Sequence, residues 1–143
     1  MRLPVMTVEE LTHALSAEFP HLFTRDGGFT IEAVWHGGCR VRQGYRDNSL
    51  RPGGSISGAC MMAHADFARY VALLASIGWV PLAVTSNLNI NFLRKPAKRD
   101  LLAEVRLIKL GKRLAVGDIS LRSDGEEALV ADATSTYSIP RRD

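Results

Sequence analysis

Residues 57–77 read SGACMMAHADFARYVALLASI, and this stretch decides the fold. No proline interrupts it. Alanines at 59, 63, 65, 68, 72 and 75, with Met61, Met62, Leu73 and Leu74, make it apolar nearly all round. A helix of that kind has to be buried. Ser57 is a natural N-cap, and Gly78 is a natural stop. Other elements must therefore surround this helix, and the sequence on both sides reads as strands.

Downstream, 84–93 alternates Val84, Ser86, Leu88, Ile90 and Phe92 against Thr85, Asn87, Asn89 and Asn91. Strands over 101–110, 114–122 and 128–139 follow, with Gly111-Lys112 and Asp124-Gly125 between them. Upstream, 29–45 reads as a hairpin. Phe29, Ile31, Ala33 and Trp35 form one apolar row, and Cys39, Val41 and Tyr45 lie on the return strand. Gly37-Gly38 supplies the positive φ angles of the turn. Residues 46–54, RDNSLRPGG, have loop chemistry. Nearer the start, Thr7 and Glu10 have capping-box spacing before a short amphipathic helix that Pro20 closes. Strands joined by short turns are antiparallel. The expected fold is α+β, an antiparallel sheet wrapped around one long central helix, with a short N-terminal helix outside.

The length of 143 residues suits one domain, with residues 1–28 as helix and lead-in and 29–139 as core. No apolar run approaches the roughly 20 residues of a membrane span, and MRLPVMTVEELTHAL does not read as a signal peptide. The expectation is a cytoplasmic protein with no membrane partner. A net charge of +3 is mild, and no nucleic-acid motif accompanies it, so no nucleic-acid partner is expected. Cys39 and Cys60 form neither a CxxC pair nor a metal-ligand pattern. No disulfide, metal or redox cofactor is expected.

Asp66 is the odd residue. A carboxylate on a buried helix must be hydrogen-bonded, paired or facing a cavity. It is either a structural group, bonded to backbone or to an arginine such as Arg69, or a general base or nucleophile. The helix start is the second candidate. Its first N–H groups lack internal partners and carry the positive end of the dipole, and Gly58 there lets a carbonyl oxygen come close. His64 stands two positions from Asp66 and points elsewhere on a helix. Cys60 has no histidine in an evident pairing position.

Together the stretch 51–68, RPGGSISGACMMAHADFA, resembles the signature of PaaI-type hotdog-fold acyl-CoA thioesterases. That signature runs Asn-x-x-Gly-x-x-His-Gly-Gly, then six residues, then Asp. Gly54 falls on its first Gly, Gly58 on the Gly after His, and Asp66 on the catalytic Asp. The family's His is Ser57 here, its next Gly is Ala59, and its Asn is Arg51. Thr85 falls where relatives often carry a Ser or Thr that positions water. His36-Gly37-Gly38 also spells HGG, but in a hairpin turn with no Asp at the right distance. The segments 84–98, 110–121 and 128–137 resemble the family's last strands.

The resemblance implies hydrolysis of an aliphatic or aryl acyl-CoA. Gly58 N–H would polarise the carbonyl, Asp66 would act as base or nucleophile, and Thr85 would hold the water. Arg51, Gly54, Ser57 and Met62 would meet the substrate, whose acyl chain would lie near Met61 and Met62. Of the basic residues at strand ends, Arg94, Lys112 and Arg113 are expected to meet CoA phosphates; Lys95, Lys98 and Arg99 belong to the same clusters, which could equally be a solvated rim. The alternative is a hotdog protein that binds acyl-CoA without cleaving it. The resemblance also implies a homodimer, or a homotetramer as a dimer of dimers, with 84–93 pairing between subunits. Gly58 and Asp66 lie eight residues apart on one helix, roughly 12 Å along its axis, so two subunits must combine to bring both to one carbonyl.

Overall fold

A computed structural model describes residues 2–23, 28–45, 50–51, 55–80 and 83–140, with backbone alone at 50, 51 and 55. The chain runs α1 (Val8–Glu18), a 3-10 turn (Pro20–Phe23), β1 (Phe29–Trp35), β2 (Gly38–Gln43), β3 (Leu50–Arg51), β4 (Ser55–Ile56), α2 (Gly58–Ile77), β5 (Val84–Phe92), β6 (Leu101–Leu110), β7 (Leu114–Ser123) and β8 (Leu129–Ser138). Six strands form one antiparallel sheet in the order β1-β2-β6-β7-β8-β5. The sheet packs its inner face on α2, and α1 lies outside, tied to the core by the fully buried Leu11 and Leu15. This is the expected α+β architecture. The stretch expected to be loop, 46–54, is not all loop: Leu50–Arg51 and Ser55–Ile56 pair as a two-residue ladder, while 46–49 and 52–54 lie outside the described residues.

The helix ends follow from local chemistry. Thr7 Oγ1 accepts from Glu10 N–H, and Glu10 Oε1 accepts from Thr7 N–H, both at 3.1 Å, which completes the capping box. Ser57 Oγ accepts from Cys60 N–H at 3.1 Å, and Gly78 ends α2 with φ 93°. Ala65, Ala68, Ala72 and Ala75 are fully buried, and these small side chains bring the helix close to the sheet. The Cys39 thiol donates to Ala68 C=O at 3.0 Å, and its burial pushes the thiol's pKa well up. At the far end, Ser76 Oγ accepts from Gly37 N–H at 2.9 Å, pinning the β1–β2 turn to the helix.

Of the four register slips among the described residues, those in β1 and β5 bear on the expected alternation. In β1 the register slips between Ile31 and Ala33. Val34, opposite the buried Cys39, packs on the core, and Trp35 is 40% exposed. Glu32 at the slip is held by Arg40 and Arg42, at 3.0 and 2.6 Å. The turn itself is His36-Gly37, where Gly37 alone has positive φ (90°). Gly38 opens β2 instead. A Cβ there would lie 2.4 Å from the Val105 carbonyl oxygen, so that position requires glycine for close approach. The second slip, in β5 between Thr85 and Asn87, matters for the site. Among the described residues no helix is long and apolar enough to cross a membrane.

Candidate active site

Asp66 sits two turns into α2 on the one side of the helix that the sheet does not cover, and its side chain is 44% exposed. Strict alternation from Asn87, Asn89 and Asn91 would turn Thr85 to the outer face of the sheet. The β5 bulge reverses it, setting Thr85 opposite the inward-facing Tyr137. The bulged Ser86 shares a 2.7 Å hydrogen bond with Ser138. As a result the Thr85 hydroxyl donates to Asp66 Oδ1 at 2.8 Å.

The same oxygen accepts from Arg69 Nη2 at 2.6 Å, and Nη2 also donates to Thr85 Oγ1 at 3.0 Å. Arg69 is 1% exposed, and its guanidinium carbon lies 3.6 Å from the centroid of the Tyr137 ring, a cation–π stack. Burial pulls the Arg69 pKa down while Tyr137 and Asp66 oppose the shift; the group stays cationic because an arginine does not lose its proton in proteins. Burial raises the phenols of Tyr137 and Tyr70, the latter to about 12, so both are neutral at pH 7. Among the described residues Asp66 Oδ2 makes no hydrogen bond.

Asp66 and Thr85 supply the polar wall of a cleft of about 430 Å³. The rest is apolar or aromatic: Phe19, Leu22, Phe29, Phe67, Tyr70 and Val84 are among its lining residues. Phe29 and Phe67 stack with centroids 4.5 Å apart, and Phe23 meets Phe67 edge-on. Phe19 and Leu22 are lining residues that sequence reasoning missed. Their only signal is a large apolar pair lying beyond the end of an amphipathic helix. The expected acyl neighbours are elsewhere: Met61 is buried in the core and Met62 is 40% exposed, and neither lines this cleft.

Gly58 is the first residue of α2, where the helix offers its unpaired N–H groups. The ring of Phe92 covers it, and a Cβ at position 58 would come within 3.1 Å of Phe92 Cζ. Within one protomer the helix separates Gly58 from Asp66. The basic residues divide in the same way. Arg94 Nε donates to Leu129 C=O at the start of β8, and Arg113 C=O accepts from Ile139 N–H just past its end. A strand of that length spans about 30 Å. Lys112 and Arg113 thus lie at the Asp66–Thr85 end, and Arg94 at the Gly58–Phe92 end. Lys95, Lys98 and Arg99 are exposed, and Arg99 also donates to Asp124 C=O. Gly54 and the side chain of Arg51 lie outside the described residues.

The remaining polar candidates are structural. His64 is fully buried; its Nε2 lies 2.9 Å from Val41 C=O, and burial lowers its pKa to about 4, so it is neutral and donates from Nε2. Cys39 and Cys60 are both reduced and are not bonded to each other. Among the described residues no three His, Cys, Asp or Glu side chains are grouped to hold a metal ion.

Known proteins are similar to this chain in sequence and fold. The thioesterase superfamily model matches residues 53–130. A crystal structure titled as a "putative thioesterase" from Silicibacter sp. TM1040 superposes with a TM-score of 0.86, at 45% identity over 98% of this chain and 95% of that one. A curated protein of Saccharolobus solfataricus, named a "putative esterase", is 31% identical over 96% of this chain and 89% of its own length. PaaI of E. coli, from the phenylacetic acid degradation operon, shares the fold at 22% identity, with a TM-score of 0.77 over 93% of this chain and 91% of that one.

Proposed function

The chain belongs to the thioesterase superfamily, and from that premise we propose that it hydrolyses acyl-CoA thioesters at a site centred on Asp66. The observation that carries the reading is the state of that carboxylate. One oxygen is held by Arg69 and Thr85, and the other is open at the polar wall of an apolar cleft. A carboxylate so fixed has one oxygen with which to take a proton from water or to attack a carbonyl.

In the general-base form, water adds to the thioester carbonyl while Asp66 takes its proton and Thr85 orients it. The C–S bond breaks as the tetrahedral centre collapses, and the proton passes to the leaving CoA thiolate. In the nucleophilic form, Asp66 attacks the carbonyl and the C–S bond breaks, expelling CoA thiolate and leaving an acyl-aspartyl anhydride; water then cleaves the anhydride, which frees the acid, restores the Asp66 carboxylate and supplies the proton that CoA takes up. Either form needs a donor for the oxyanion, which Gly58 N–H of a second subunit supplies. The volume of about 430 Å³ suits a small-ligand pocket. Among the described residues Asp66 is its one charged lining residue, which favours an uncharged aliphatic or aryl acyl group.

The assembly follows from the same geometry. β5 pairs with β8 on one side only, and Val84 (59%), Phe92 (50%) and Leu93 (55%) stand exposed along it. A second copy pairing there in antiparallel fashion covers that edge. It brings Gly58 and Arg94 of one subunit toward Asp66, Lys112 and Arg113 of the other.

Non-catalytic acyl-CoA binding is the second reading, and the ion pair between Asp66 and Arg69 is the observation in its favour. Release of free thiol from a panel of aliphatic and aryl acyl-CoAs, by the wild-type chain and by Asp66→Asn, separates the two. Hydrolysis at Asp66 predicts turnover of at least one ester and a loss of at least ~100-fold in the variant. Binding of CoA esters with no thiol released, or near-normal turnover by Asp66→Asn, overturns it.

A further inference from the structure

Asp66 is held by a side chain that is itself absent from the lining of the cleft. We infer that Arg69 is a positioning residue: buried between Tyr137 and Gly117, it fixes the Asp66 carboxylate and the Thr85 hydroxyl in one arrangement and leaves Oδ2 for the substrate. The inference rests on the proposed role of Asp66 and extends it to a residue outside the motif.

The asymmetry of the ion pair is the first argument. Arg69 is 1% exposed, whereas the Asp66 side chain is 44% exposed. An arginine buried for stability needs its nitrogens satisfied, and here Nε and Nη1 are buried without a hydrogen-bond partner among the described residues. Such a cation is costly to bury. Asp66 has no matching need for it, because solvent reaches the carboxylate. The Tyr137 face, 3.6 Å from the guanidinium carbon, offsets part of the cost and sets the plane of the group.

Geometry is the second argument. A single nitrogen, Nη2, reaches both Asp66 Oδ1 and Thr85 Oγ1 while the guanidinium stacks over the ring. Lysine keeps the charge but has neither the plane nor the fork. The stem passes Gly117 of β7, where a Cβ would lie 3.4 Å from Arg69 Cγ and 3.7 Å from Cδ. Arg69 of α2 and Thr85 of the bulged β5 thus converge on one carboxylate oxygen, and Gly117 of β7 leaves room for the arginine stem.

Stability and activity move in opposite directions under this inference. Arg69→Met, Arg69→Lys and Asp66→Asn are compared in the full chain, by thiol release from an acyl-CoA that the wild type turns over and by thermal melting. Arg69→Met is expected to lower kcat about 30-fold or more, with KM within about threefold, since displacing a reacting group by an ångström can cost ~100-fold. Its melting temperature stays level or rises, because the unbonded nitrogens are gone. Arg69→Lys lies between it and the wild type in kcat. An Arg69→Met chain that keeps its kcat overturns the inference. So does one that melts far lower or fails to fold, since Arg69 is then a structural support. If Asp66→Asn is dead while Arg69→Met is active, only the role of Arg69 falls. If Asp66→Asn is active, the reading of the site and this inference fall together.

Discussion

Thr85 and Asp66 stand 19 positions apart in sequence and 2.8 Å apart in space, and the bulge at Ser86 joins them. The relationship couples an edge strand to the open side of the central helix. Thr85→Val keeps the shape and removes the hydroxyl. A hydrogen bond to a charged group is worth roughly 1.5–3 kcal/mol, so kcat should fall by about tenfold or more. KM and melting temperature should change little. Steady-state kinetics beside a melting curve check this; an unchanged kcat removes Thr85 from the site.

The motif resemblance sets Ser57 against the family's histidine, and here its hydroxyl caps α2. Ser57→Ala should therefore cost stability, about 1 kcal/mol, with kcat nearly preserved. Denaturant melts and kinetics on one preparation test the split. Unchanged stability with a steep fall in kcat would make the hydroxyl a catalytic group.

Lys112 and Arg113 lie in the β6–β7 turn at the Asp66 end of the sheet. Neutralising both should raise KM for the CoA ester more than it lowers kcat, since contacts remote from the carbonyl supply uniform binding. The effect should shrink as salt rises. An unchanged KM at low salt returns both residues to the solvated rim.

Much of this site was legible in the sequence, and the exceptions have physical causes. Asp66 stood out because a carboxylate on an alanine-rich helix needs a reason, and Ser57 and Gly78 marked the helix ends because caps are local chemistry. The bulges were not legible. They arise from register between strands distant in sequence, and they turned Thr85 inward and Trp35 outward against the alternation. Arg69 was readable as an ion-pair partner at helical spacing. Its burial against Tyr137 was not, because Tyr137 arrives from the last strand. Phe19 and Leu22 could not be tied to the cleft, because nothing local to them encodes where the 3-10 turn docks.

His64 makes stability depend on pH. Its folded-state pKa is depressed to about 4 from an ordinary 6.5. Below 6.5 the unfolded chain takes up a proton that the folded chain refuses, so stability is full above that value and falls as pH drops toward 4. The loss attributable to this group is roughly 3 kcal/mol across the window. His64→Gln removes the titration, so its stability should vary less with pH between 7 and 4.5, whatever its absolute value. Equal slopes for the two chains would contradict the assignment.

A site shared between two subunits can be rebuilt by mixing two inactive variants. Asp66→Asn lacks the carboxylate. Gly58→Pro lacks the N–H. Proline is tolerated at the first helical position, and Ser57 before it already has the extended backbone that a following proline demands (φ −71°, ψ 153°). Phe92 must give way slightly over the ring, and its half-exposed side chain is free to do so. Each variant is first shown to dimerise and to exchange subunits, and each alone should be inactive. In a mixed dimer one site carries both lesions and the other carries none. Random mixing in equal amounts makes half the dimers mixed, so about a quarter of wild-type thiol release should return. Mixed dimers that form and stay inactive would contradict the shared site.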